Sequence, residues 1–150
     1  MKRLVLFTMV MALAVAGLAM AQAKPDFTGT WALDTAKSDQ GGGGGRGGPA
    51  GPMTIKQTAD TLTTEMTRGE NKVTATYKLD GTESVNTTGM GESKSTAKFD
   101  GAKLVIKTMS EGPNGPMETT ATWSLSADGK ELTIVRATQR GDMTTVYTKQ

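Results

Sequence analysis

The side chains that usually carry catalysis are scarce in this chain. Its 150 residues contain no histidine and no cysteine. That removes histidine general bases, histidine and thiolate metal ligands, cysteine nucleophiles, zinc–cysteine sites and disulfides. Serine and threonine are plentiful, but no Gly-x-Ser-x-Gly elbow presents one and no imidazole is there to activate it. The acids Asp34, Glu65, Glu83 and Glu118 are scattered over alternating or loop positions, so a two-carboxylate hydrolase would have to assemble its pair in space. No Asp-x-Asp-x-Asp-Gly calcium loop occurs. The expectation is a protein without catalytic residues, metal or cofactor, in which the remaining chemistry is contact with a ligand or partner.

The elements that would position such contacts read as short strands. Val73, Ala75, Tyr77 and Leu79 share one face, and Lys72, Thr74, Thr76 and Lys78 the other. Met117, Thr119, Ala121, Trp123 and Leu125 repeat the period less purely, as do Leu62, Thr64 and Met66. Successive strand residues point to opposite sides, so each segment buries one face and wets the other. Threonine dominates the wet faces, where its β-branch suits an exposed strand. Asp80-Gly81 and Asp100-Gly101 read as tight type I′ hairpin turns, and Gly112 to Pro116 as a longer loop. Ten strands result, near 27–33, 53–58, 61–68, 72–79, 82–88, 93–99, 102–109, 117–125, 131–138 and 143–149. No helical period competes. Short connections make sequence neighbours pair antiparallel, and so long a meander closes on itself to remove its edges. The predicted fold class is all-β, an antiparallel up-and-down barrel of about eight to ten short strands. A β-sandwich is the alternative. A membrane-spanning barrel is disfavoured by the polar outward faces and by strands read as shorter than the ~9–11 residues needed to cross.

Residues 1–23 stand apart. Lys2 and Arg3 precede an apolar run from Leu4 to Met20, and Ala19-Met20-Ala21 and Ala21-Gln22-Ala23 are small-x-small cleavage sites. This is the pattern of a secretory signal peptide, leaving one domain over residues 24–150 and an expected periplasmic or secreted location. The signal holds two of the 17 basic residues and none of the 15 acids, so the mature chain carries 15 of each. Without a basic excess no nucleic-acid partner is expected, and with no second apolar run no membrane insertion is expected after cleavage. A monomer is the expected state.

Three short motifs have plain structural readings. The glycine-rich stretch, residues 40–52, lacks the Gly-Lys-Ser/Thr and following helix of a phosphate loop and reads as a flexible loop. Arg140-Gly141-Asp142 reads as the last hairpin turn rather than an adhesion motif. Asn86-Thr87-Thr88 fits a glycosylation sequon, which a bacterial-type signal makes idle.

The segment Phe27-Thr28-Gly29-Thr30-Trp31-Ala32-Leu33 resembles the opening strand of the calycin superfamily, the lipocalins and fatty-acid-binding proteins. Their Gly-x-Trp tryptophan closes the base of the barrel, and an aromatic pair flanking a glycine suits a strand that plugs one end. Glu118-Thr119-Thr120, Asp128 to Leu132, and Val146 to Lys149 resemble the last three strands of the fatty-acid-binding branch. Asp26 to Trp31 with Lys37-Ser38 also resembles secreted bacterial lipocalin-like proteins of unknown function. The resemblance implies a helical lid between the first two strands, where this chain has its glycines instead. It also implies a carboxylate clamp of two arginines and a tyrosine. Those arginine positions fall on Trp123 and Thr145, and the tyrosine on Tyr147. A buried carboxylate without a cation is penalised, so the ligand implied is uncharged. Arg136 shares parity with Leu132 and Ile134 and is the remaining candidate cation, although its place near a strand end predicts exposure.

The candidate ligand-binding residues of the barrel interior are Trp31, Ile55, Leu62, Met66, Tyr77, Leu104, Ile106, Trp123, Ile134 and Tyr147, with Leu79 beside them. They line a small-molecule cavity or fill a solid core, since small barrels do either. Met53, Met66, Met109, Met117 and Met143 would be adaptable lining, or filler and rim contacts. The leading expectation is non-catalytic binding or transport of a small, mostly apolar, uncharged ligand. The alternatives are a solid-core structural or interaction module of the cell envelope, and a barrel enzyme.

Overall fold

A computed structural model describes residues 23–39, 51–68, 70–88, 91–138 and 141–150. Residues 1–22 of the proposed signal segment 1–23, most of the glycine-rich stretch and the turn residues 69, 89–90 and 139–140 lie outside the described residues. Ten strands carry the fold: β1 (Gly29–Asp34), β2 (Met53–Gln57), β3 (Thr61–Arg68), β4 (Asn71–Lys78), β5 (Asp80–Thr88), β6 (Gly91–Asp100), β7 (Lys103–Gly112), β8 (Gly115–Leu125), β9 (Glu131–Thr138) and β10 (Gly141–Lys149). They form one antiparallel sheet in the order β4-β3-β2-β1-β10-β9-β8-β7-β6-β5, a nearly closed barrel. Among the described residues there is no helix.

The first and last strands of the chain pair in the middle of the sheet, whose ends are β4 and β5. Trp31 pairs with Lys149 and Leu33 with Tyr147. Side chains extend this seam past the end of β1. Ser38 Oγ accepts from Val146 N at 2.9 Å and donates to Asp34 O at 2.6 Å, while Thr144 N donates to Asp39 Oδ2 at 2.7 Å. The Lys37-Ser38 motif is thus a structural tie, with Lys37 ion-paired to Glu131.

The base is plugged as the resemblance implies. Trp31 and Phe27 are fully buried, and Trp31 Nε1 donates to Phe27 O at 2.9 Å. Lys149 Nζ lies 5.4 Å from the Trp31 ring centroid. Gly29 sits between them at φ 148°, and a Cβ there would lie 2.7 Å from Lys149 Cε. The residues before β1 are stitched to β2, with Phe27 N donating to Gln57 Oε1 at 3.0 Å and Gln57 Nε2 to Pro25 O at 2.9 Å.

Four sequence expectations are corrected. First, β4 and β5 are consecutive but form no ladder; they are the two ends of the sheet. Asp80-Gly81 therefore makes no hairpin: Asp80 pairs with Lys98, and the register slips between Asp80 and Glu83. Second, no described non-glycine residue has positive φ, so no type I′ turn with Asp forms; Asp100 pairs with Lys103 around Gly101 at φ 60°. Third, Gly112 to Pro116 is no loop. Gly112 pairs with Gly115 and Glu111 with Pro116, leaving Pro113-Asn114 as a two-residue connection. Fourth, strands are longer than read: β6 and β7 have 10 residues and β8 has 11. Strand length therefore does not argue against a membrane barrel, but the outward face does. It presents Lys94, Lys98 and Lys107 with Thr96 and Thr120, where a lipid-facing wall requires apolar residues. No helix among the described residues is long and apolar enough to cross a membrane.

The fully buried core is Phe27, Trp31, Met53, Ile55, Leu62, Leu104 and Leu132. The inward face is less apolar than its period suggests. Thr64, Ser84, Asn86 and Ser95 are also buried. Their hydrogen-bonding groups find neighbours, as Ser95 Oγ and Thr108 Oγ1 do at 2.9 Å, which is what makes burying them tolerable.

Candidate functional site

Pairing across β8, β9 and β10 stacks three interior rungs. Leu125, Leu132 and Tyr147 form the first, Trp123, Ile134 and Thr145 the second, and Ala121, Arg136 and Met143 the third. On the facing wall Leu62 pairs with Tyr77, Thr64 with Ala75 and Met66 with Val73. The interior thus grades from aliphatic near the plugged base towards hydroxyls and a guanidinium at the other end.

A cavity of about 100 Å³ opens in this graded region. Thr64 and Met66 of β3, Tyr77 of β4, Trp123 of β8, Ile134 and Arg136 of β9, and Thr145 and Tyr147 of β10 line it. Five of the ten sequence candidates, Met66, Tyr77, Trp123, Ile134 and Tyr147, are therefore brought together at the cavity. The other five, Trp31, Ile55, Leu62, Leu104 and Ile106, are buried within the core cluster and do not line it. Trp123, Thr145 and Tyr147, the three clamp positions implied by the calycin resemblance, all reach this one space. Arg136 is exposed, as its strand-end position predicts, and lines the cavity too. Thr64 and Thr145 line the cavity but fall outside the interior list read from the sequence, although Thr64 shares a face with Leu62 and Met66 and Thr145 is an implied clamp position.

The electrostatics follow from that geometry. Burial pushes the Tyr77 phenol above its ordinary range, and the positive charge of Arg136 partly offsets this. Low-dielectric surroundings disfavour the phenolate, and a nearby cation favours it. Trp123 is held by an edge-to-face contact with Phe27, with centroids 5.9 Å apart and planes at 88°. Its Nε1 is buried and has no hydrogen-bond partner. Among the described residues no group of three or more Asp or Glu side chains is placed to hold a metal ion.

Other surface features do not compete. A recess of about 410 Å³ lies on the outside of β6 and β7, lined by Lys98, Lys107, Val105 and Phe99 among others, and is broadly open to solvent. Met109 and Met117 are 43% and 45% exposed and line neither recess nor cavity, whereas Met53 is core. Asn86, the sequon asparagine, is buried with its amide engaged by β4, so the folded protein offers no glycosylation site there.

No family model matches the chain, and no curated protein does. Solved structures do. The chain is similar to the REP1-NXSQ fatty acid transporter at a TM-score of 0.64 and 18% identity, over 83% of this chain and 96% of that one. It is equally similar to a tyrosine-to-phenylalanine mutant of that transporter, at 0.64 and 17% identity, over 83% and 98%. The likeness is one of fold, and it agrees with the calycin-type barrel expected from the Gly-x-Trp strand.

Proposed function

We propose that the protein is a non-catalytic binding or carrier protein, exported by its signal segment, that holds a small, mostly apolar and uncharged molecule inside the barrel. The observation that carries the reading is the cavity itself, which gathers Met66, Tyr77, Trp123, Ile134 and Tyr147, with Thr64, Thr145 and Arg136, around a partly enclosed space. Its size argues for a compact ligand: about 100 Å³ is well below the ~300–1,000 Å³ of ordinary ligand pockets. Its charge argues for a neutral one, since Arg136, which lines the cavity, is exposed and screened by solvent and compensates a buried anion only weakly. The solved neighbours being fatty acid transporters supports a carrier over an enzyme.

A second reading has its own support. Trp31, Ile55, Leu62, Leu104 and Ile106 fill much of the interior, as they would in a solid-core envelope module that acts through its surface. Native mass spectrometry of the protein purified from an exporting host separates the two. The carrier reading expects a reproducible adduct, lost on denaturation and weakened by Tyr147→Ala. A clean mass, with no uptake from a lipid and metabolite extract, supports the solid-core module instead.

A further inference from the structure

Among the described residues, Nε1 of Trp123 is the buried side-chain nitrogen or oxygen without a hydrogen-bond partner. An indole N–H donates and cannot accept, so only an acceptor can satisfy it. Buried donors in folded proteins are almost always paired, and an orphan calls for an explanation. The chain's other tryptophan shows the usual outcome, Trp31 Nε1 donating to Phe27 O at 2.9 Å. Trp123 is only 6% exposed, and it belongs to the cavity wall. Hydroxyl-bearing Thr64, Tyr77, Thr145 and Tyr147 line the same space.

Resting on the carrier reading above, we infer that the cavity takes a compact neutral molecule bearing one strong acceptor oxygen, a ketone, aldehyde or ester, and that this oxygen accepts the Trp123 indole N–H. Three observations converge on that class. The orphan donor asks for an acceptor. The volume of about 100 Å³ asks for a body smaller than benzene, which an apolar cavity of ~150 Å³ is known to hold. Arg136 lines the cavity but is exposed, so solvent screens its charge and it offsets only weakly the cost of burying a carboxylate. Ile134 and Met66 supply the apolar contacts for the ring or short chain.

The chain has two tryptophans, so its two indole N–H signals can be followed by ¹⁵N NMR while butanone, isopentane and 2-methylbutyrate are titrated in turn. Butanone should shift the Trp123 indole N–H downfield and saturably, leaving that of Trp31 in place. Isopentane should perturb the lining residues without that indole shift. Trp123→Phe should weaken butanone about tenfold and leave isopentane within about twofold. If butanone and isopentane bind alike with the Trp123 indole silent, the ligand class is wrong and the carrier reading stands. Tighter binding of the carboxylate also overturns the class, in favour of an anion. If none of the three perturbs the lining residues, the class falls, and the extract-uptake experiment then decides whether the carrier reading falls with it.

Discussion

Asn86 of β5 makes both hydrogen bonds that a peptide group would offer to Thr76 of β4: Thr76 N donates to Asn86 Oδ1 at 2.7 Å, and Asn86 Nδ2 donates to Thr76 O at 3.1 Å. Ser84 repeats the device one rung on, accepting from Lys78 N at 2.8 Å. The two ends of the sheet are joined by side chains where a backbone ladder is missing. Open sheet edges are liabilities for intermolecular pairing, and these bonds cover one.

Asn86→Ala removes both bonds and leaves the Thr76 peptide unpaired. It should cost about 2 kcal/mol in urea unfolding, the scale of stranding buried polar groups. The Thr76 amide should exchange hydrogen much faster, while amides of β8 and β9 change only with global stability. An unchanged Thr76 amide would mean the seam is held by something else.

Ser38→Ala should cost about 1–2 kcal/mol, because Val146 N loses its acceptor. Thermal unfolding measures it. Ser38→Thr, which keeps the hydroxyl, should recover most of the loss.

Gly29→Ala meets Lys149 Cε and requires a non-glycine residue at φ 148°. Backbone strain of this kind costs about 1–3 kcal/mol. Adding Lys149→Ala should relieve the contact but not the strain, so the double variant should recover only part of the stability, read by denaturant melts.

Stability should decline at both pH extremes for opposite reasons. Hydroxyl bonds from Thr28, Thr82 and Ser126 hold the carboxyls of Asp26, Asp80 and Asp128 below their ordinary values, and a bond from Lys72 does so for Glu65. The unfolded chain then takes up protons first as pH falls below about 4, and stability drops. Burial raises Tyr77, so above about pH 10 the unfolded chain loses its phenol proton first and stability drops again. The bond to Glu131 raises Lys37 as well, so Tyr77→Phe should reduce the alkaline arm without abolishing it and leave the acid arm unchanged in melts taken across pH.

Much of this fold was legible in the residues. The period-two faces of Lys72 to Leu79 located β4 and its inward side, and Gly29-x-Trp31 located the plug. The seam was not legible, because it depends on Asn86 and Ser84 meeting Thr76 and Lys78 at a specific register, and Asp80-Gly81 suggested an ordinary hairpin in its place. The cavity was half legible. Parity brought Trp123, Ile134 and Tyr147 together and put Thr64 on the face of Leu62, but neither Thr64 nor Thr145, an implied clamp position, stood among the interior candidates. A barrel interior can hold hydroxyls wherever neighbours or a ligand satisfy them, so polar residues on an alternating strand do not always mark the wet face.

The cavity bounded by Trp123, Thr145 and Tyr147 is the proposed ligand site. Its most direct test is uptake from a lipid and metabolite extract by the wild type and by Thr145→Phe, whose ring would fill the space, with bound molecules released and identified by mass spectrometry. A compound retained by the wild type and lost from a folded Thr145→Phe protein is the predicted result. Equal retention by both, or none by the wild type, would contradict it.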